Sequence, residues 1–168
     1  MSDQSRYRHA DIRFGHHSTG WGRVVVSLTA PEPGNGWLGH DAAVRTVRFV
    51  AAHGVGGVLG RLTDPHAEHS PMGRAESAIV AVFGCPEGGE CSVIAAATPG
   101  CGLFVLRPDR TMTHLRPELE GSGPLPVPFG ARVLLTQAPL TPADAMERMI
   151  AGAVGELDPQ CPDLLITP

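Results

Sequence analysis

The sequence contains no lysine, and all 13 of its basic residues are arginine. Without a lysine amine, no side chain can form a Schiff base, which excludes that class of covalent catalysis. The formal net charge is -4 and the isoelectric point is about 6.0, whereas a nucleic-acid binder needs a basic surface to displace counterions. The one locally basic stretch, residues 6–13, is interrupted by Asp11. We therefore expect no nucleic-acid partner.

Long apolar runs are also missing. No run approaches the ~20 apolar residues of a membrane-spanning helix, and residues 1–20 contain no apolar core of the signal-peptide kind. The expected protein is therefore soluble and cytoplasmic, with no membrane partner. Its hydrophobic content of 42% over 168 residues is that of a globular chain.

Cysteine is sparse, and no two of the four residues form a C-x-x-C pair: Cys85, Cys91, Cys101 and Cys161. Zinc sites usually draw on such close pairs, so we predict small buried residues or surface thiols, reduced in the cytosol. A tight turn around Gly88 and Gly89 would set Cys85 opposite Ser92. That register disfavours a disulfide between Cys85 and Cys91.

Several catalytic motifs are absent, among them the G-x-S-x-G elbow and the phosphate-binding P-loop. The glycines of residues 54–60 follow a run with helical period rather than a strand, which argues against a dinucleotide site. Residues 64–69 (DPHAEH) offer a His-x-x-His pair with Asp64 as a third metal ligand. The neighbouring prolines favour a solvated loop for this segment instead.

Hydrophobic periodicity predicts strands and helices in a definite order. The apolar, β-branched residues 24–28 indicate a buried strand before the turn-rich residues 30–36. From Gly39 to His53, apolar residues recur at three- and four-residue spacing, which is typical of an amphipathic helix. Two hairpins follow: SAIVAVFG with ECSVIAAA, and GLFVLRPD with RTMTHL. A proline-rich connector leads to the strand ARVLLTQ.

The last third of the chain predicts a helix and a closing strand. Thr141 is a good N-cap, Pro142 suits the first helical position, and the helix should run to about Glu156. DLLITP then returns as a strand. This order predicts an α+β fold with mostly antiparallel sheets packed against each other and helices outside. Residues 1–20 form an N-terminal segment, a candidate first strand, and residues 21–168 form the main domain.

Five segments, in order and spacing, resemble the metal-dependent protein phosphatases of the PPM type, in the bacterial branch related to sporulation and stress-response phosphatases. They are GRVVVSL (22–28), GWLGHDAAVRTVRFVAA (36–52), SAIVAVFG (77–84), ECSVIAAATPGCGLFVLRPDR (90–110) and FGARVLLTQAP (129–139), and they are followed by a closing PDLLITP (162–168). The resemblance implies a single-domain α/β/β/α sandwich. In that family two Mg²⁺ or Mn²⁺ ions, held between the sheets by aspartates, activate a water that attacks the phosphate.

Most positions where that family has a metal-binding aspartate hold another residue here. Gly36 stands before the first helix, Gln137 stands in the late Thr-Asp-Gly motif, and Gln160-Cys161 replace a terminal Asp-Asp pair. The earliest aspartates have only Asp11 as a counterpart. Because hard cations need oxygen ligands, mostly carboxylates, ordinary metal binding should fail and we expect no cofactor.

The resemblance thus implies a pseudophosphatase that binds a regulatory protein or a small ligand in the old cleft. Two alternatives remain open. A repurposed enzyme would use acid–base groups in that cleft, and the candidates are His40, Asp41, His16 and His17. A divergent Ser/Thr phosphatase would hold Mg²⁺ or Mn²⁺ on relocated ligands, and the candidates are Asp11, Asp41 and Asp163.

Overall fold

The computed structural model describes residues 6–16, 20–32, 34, 36–63, 73–117, 123–151 and 163–167. The strands are β1 (Tyr7–His16), β2 (Gly20–Thr29), β3 (Ser77–Cys85), β4 (Cys91–Ala97), β5 (Gly102–Leu106), β6 (Met112–Leu115), β7 (Leu125–Val127), β8 (Arg132–Thr136) and β9 (Asp163–Ile166). The helices are α1 (Ala42–His53), α2 (Val58–Thr63) and α3 (Pro142–Ala151). The polar cluster of residues 64–69 and the predicted helix end near Glu156 lie outside the described residues.

The strands form two antiparallel sheets, with orders β1-β2-β3-β4-β7 and β6-β5-β8-β9. The predicted α+β class with mostly antiparallel sheets is therefore confirmed. β1 lies in the N-terminal segment and pairs with β2 over its full length. β7 was not predicted, because its three residues lie in the proline-rich connector.

The two sheets pack face to face across the largest apolar cluster of the described chain. Side chains alternate along each strand, so that every second residue points into this space. The five-stranded sheet contributes Val25, Ile79, Ala81, Phe83, Val93 and Ala95, and the four-stranded sheet contributes Leu103, Val105, Val133, Leu135, Leu164 and Ile166. Fully burying one such side chain stabilises the fold by roughly 1.5–3 kcal/mol, so this interface holds the sheets together.

Helices cover the outer faces of both sheets. Val47 of α1 and Leu62 of α2 pack on the outward side chains of the five-stranded sheet, and Met149 of α3 packs on the four-stranded sheet. α1 ends where predicted, at Gly54, whose positive φ of 78° suits glycine and whose N–H bonds the Val50 carbonyl. No helix within the described ranges is long and apolar enough to cross a membrane.

The prediction that Cys85 and Cys91 remain unbridged was wrong, since the structure joins them in a disulfide. In the observed register Gly84 pairs with Ser92, so residues 86–90 form a five-residue connection and the two cysteines face each other. The predicted tight turn was one residue out of register, which moved Cys85 opposite the wrong partner. Cys101, by contrast, is a small buried thiol, as expected.

Candidate functional site

The most distinctive polar cluster of the described residues is centred on Gln137, which directly follows β8. Its side-chain amide reaches across to the five-stranded sheet and binds three hydroxyl groups. The amide nitrogen donates to Ser27 Oγ at 2.5 Å. The amide oxygen accepts from Ser77 Oγ at 2.8 Å and also from the Thr29 hydroxyl. We call these four residues the Gln137 network.

The strand pattern brings the three hydroxyls to one corner of the sheet. Ser27 and Thr29 alternate with Leu28 along β2, so both point toward the second sheet. Thr29 also pairs directly with Ser77 of β3. Ser27 is fully buried and Thr29 is nearly so. Buried hydroxyls are costly without hydrogen-bond partners, and Gln137 supplies those partners without introducing a charge.

Asp11 lies on the same sheet face, opposite Val25 in the middle of β2, and is paired with Arg23. The Arg23 guanidinium donates to both carboxylate oxygens, at 2.6 and 2.5 Å. The Asp11 side chain is only 21% exposed and the Arg23 side chain 13%. Arg23 also donates to the Thr167 carbonyl at 3.4 Å, in the segment just after β9. The carboxylate of Asp11 is therefore already neutralised by a bidentate partner.

Asp163 is fully buried, but it lies on the opposite face of the four-stranded sheet from the inter-sheet core. It pairs in register with Thr136, whereas the neighbouring Leu135 and Leu164 point between the sheets. The Asp163 carboxylate accepts a hydrogen bond from the Thr136 hydroxyl at 2.6 Å and forms an ion pair with Arg148 of α3. It thus anchors α3 to the sheet rather than pointing into the space between the two sheets.

Asp41 and His40 lie at the start of α1, on the outer side of the five-stranded sheet. Asp41 is exposed, and its carboxylate accepts a hydrogen bond from Arg45 Nε at 2.7 Å, one helical turn along. His40 is exposed. His16 ends β1, but its side chain and all of His17 lie outside the described residues.

The structure therefore does not bring the three candidate metal ligands together. Asp11, Asp41 and Asp163 each have an arginine partner, on three different parts of the fold. Within the part of the chain that the structure describes, no three His, Cys, Asp or Glu side chains are placed to hold a metal ion.

Of the Gln137 network, sequence analysis identified only Gln137 itself, as a replaced aspartate. The signal for two other members was present in β2, where Ser27 and Thr29 follow the apolar run Val24–Val26 at alternating positions. Polar residues on a buried strand face imply buried partners. The identity of the partner, 110 residues away for Ser27, could come only from the packing of the two sheets.

The Gln137 network contains no group that titrates near neutral pH, so it cannot transfer protons as a general acid or base. Its amide and hydroxyl oxygens also supply no negative charge to a cation. Comparison of the chain with protein-family models, curated proteins and solved structures gives no match. Function must therefore be inferred from the site itself, because a fold does not determine activity.

Proposed function

We propose that this chain is a PPM phosphatase-like domain that has lost metal-dependent hydrolysis and binds a regulatory protein or a small ligand in the cleft between its sheets. Two lines support the proposal. The order of sequence segments resembles that family, and the observed layers run helix, sheet, sheet, helix. We propose that it acts in the cytoplasm.

The observation behind the loss of hydrolysis is the Gln137 network. The resemblance implies a metal-binding aspartate directly after β8, and Gln137 occupies that position. Its amide is committed to Ser27, Thr29 and Ser77. A two-metal centre introduces about +4 of charge, which carboxylates must offset. A neutral cluster of amide and hydroxyl groups offers no such compensation.

The two alternative functions gain no support from the site. For a relocated metal centre, Asp11 would have to leave the half-buried Arg23, and the fully buried Asp163 would have to leave Arg148, and both ion pairs oppose this. For a repurposed acid–base enzyme, His40 and Asp41 would need a second group from another element within reach. Asp41 instead pairs with Arg45 of its own helix.

The proposal is tested by following one fluorescently labelled phosphoserine peptide in two assays. Phosphate release is measured with millimolar Mn²⁺, and binding is measured by anisotropy with a chelator present. We expect no phosphate release above that of Mn²⁺ alone, together with saturable binding that does not need metal. Mn²⁺-dependent release that Asp11→Asn abolishes would overturn the loss of hydrolysis. Absence of binding to this peptide and to its unphosphorylated form would overturn the binding role for regulatory phosphoproteins.

A further inference from the structure

The disulfide joins β3 to β4 where the hairpin between these strands begins and ends. Cys85 is the last residue of β3, and Cys91 is the first residue of β4. Cys85 is buried, whereas Cys91 is half-buried and packs against the inter-sheet core. All residues of the connection 86–90 are exposed. The bridge therefore lies at the surface of one end of the core, where a small thiol can approach it from the side of Cys91.

The strand β7 is held on the sheet through the residues next to this bridge. Its three residues pair with the first three residues of β4, and Val127 lies directly opposite Cys91. In the described part of the chain, β7 pairs with no other strand. Pro126 has no N–H and so donates no hydrogen bond to this ladder. Because so short a ladder has little stability of its own, the position of β7 depends on how firmly the start of β4 is held.

The turn that follows β7 carries Phe129, whose side chain is fully exposed. The N–H of Ala131 closes this turn by donating to the Pro128 carbonyl at 3.1 Å. Ala131 is buried and leads directly into β8, so one side of the turn is anchored in the four-stranded sheet. The other side is anchored only through β7. Release of β7 would therefore also release the position of the Phe129 side chain.

The two cysteines differ in how firmly the rest of the fold holds them. A Cβ on Gly20 would lie 2.8 Å from the Cys85 carbonyl oxygen and 2.9 Å from Pro86 Cα, so the start of β2 packs closely on this side of the connection. Strand β3 also pairs along its length with both β2 and β4. Cys91, by contrast, begins its strand next to the short β7. Opening of the bridge should therefore free the β4 side of the connection and leave the β3 side in place.

We propose that the Cys85–Cys91 bond is a redox-sensitive switch, which fixes β7 and the turn at Phe129 when oxidised and releases them when reduced. The reductant is a dithiol. One of its thiolates attacks the sulfur of Cys91, which breaks the S–S bond, forms a mixed disulfide and releases Cys85 as a thiolate. The second thiolate of the reductant then displaces Cys91. The reductant leaves as a disulfide, two electrons pass to the protein, and each cysteine sulfur takes up one proton. The switch is independent of the proposed phosphatase-like function.

Hydrogen exchange of the full chain, measured by mass spectrometry on the oxidised protein and in dithiothreitol, tests this switch. Reduction should accelerate exchange in residues 86–93 and 124–131 at least about tenfold more than in β5 and β8. The comparison with β5 and β8 is needed because loss of a bridge also lowers the stability of the whole domain. Equal acceleration in all of these segments, or unchanged exchange in residues 86–93 and 124–131, would overturn the proposal.

Chymotrypsin, whose hydrophobic pocket accepts aromatic side chains, gives a second readout at Phe129. Cleavage there should be at least about fivefold faster in the reduced protein, because proteolysis follows the population of the opened segment. Phe129→Ala should lose this cleavage and keep the redox dependence of hydrogen exchange. Cys85→Ser combined with Cys91→Ser should match the reduced protein with and without dithiothreitol. If this double variant still responds to dithiothreitol, or if reduction leaves cleavage of the original chain unchanged, the proposal is wrong.

Discussion

Replacing Gln137 with leucine should destabilise the protein substantially, although leucine is apolar and of similar length. The substitution removes three hydrogen bonds between the two sheets. Each is worth about 1 kcal/mol net, so the loss from the bonds alone is about 3 kcal/mol. Ser27 is fully buried, so its hydroxyl cannot replace the lost hydrogen bond with one to bulk water. Gln137 itself is only half-buried, and the apolar contacts of the new leucine offset part of the loss. We expect the free energy of unfolding to fall by about 2–4 kcal/mol.

Urea unfolding followed by circular dichroism measures this change, and the slope against urea should stay constant if only stability is affected. Ser27→Ala and Ser77→Ala, added to Gln137→Leu, provide a rescue. Because both sides of two hydrogen bonds are then apolar, the combined variant should regain part of the lost stability. A loss below about 0.5 kcal/mol for Gln137→Leu, or a further loss on adding the alanines, would refute the account of the network.

Two further predictions concern the Cys85–Cys91 disulfide and the turn at Asp109. The disulfide closes a loop with a sequence separation of 6, so replacing both cysteines with serine should lower the free energy of unfolding by about 2 kcal/mol without reductant, and by much less with reductant. Alkylation of the unfolded, unreduced chain should leave Cys85 and Cys91 unlabelled, and labelling of both would contradict the bridge. Hydrogen bonds from the Thr111 hydroxyl and N–H lower the pKa of Asp109 below its ordinary value of 3.8. The stabilisation is therefore present above pH 3.8 and lost as the pH falls through the folded-state pKa. In an NMR titration Thr111→Val should move that pKa back toward 3.8, and an unchanged pKa would exclude the hydroxyl as its cause.

Local sequence signals predicted the elements that depend on neighbouring residues. α1 has the expected period and glycine stop. At the start of α3, the Thr141 hydroxyl accepts a hydrogen bond from the Asp144 N–H, as an N-cap should. Most of the strands were also predictable, because their apolar faces produce a clear alternation or a β-branched run.

What the sequence could not predict depends on register and on packing between distant segments. A one-residue difference in the β3–β4 connection decides whether Cys85 faces Cys91 or Ser92. The burial of Asp163 under α3, rather than between the sheets, follows from which face of β9 meets the five-stranded sheet. β7 has only three residues, one of them proline, and pairs with a strand far earlier in the chain.

Calorimetric titration of the metal-free protein with Mn²⁺ tests the central claim most directly. A neutral Gln137 network, together with carboxylates already paired to Arg23, Arg45 and Arg148, predicts no saturable heat even at millimolar Mn²⁺. Saturable binding in the micromolar range that Asp11→Asn abolishes would contradict the account, because it would show a rebuilt metal centre in the cleft.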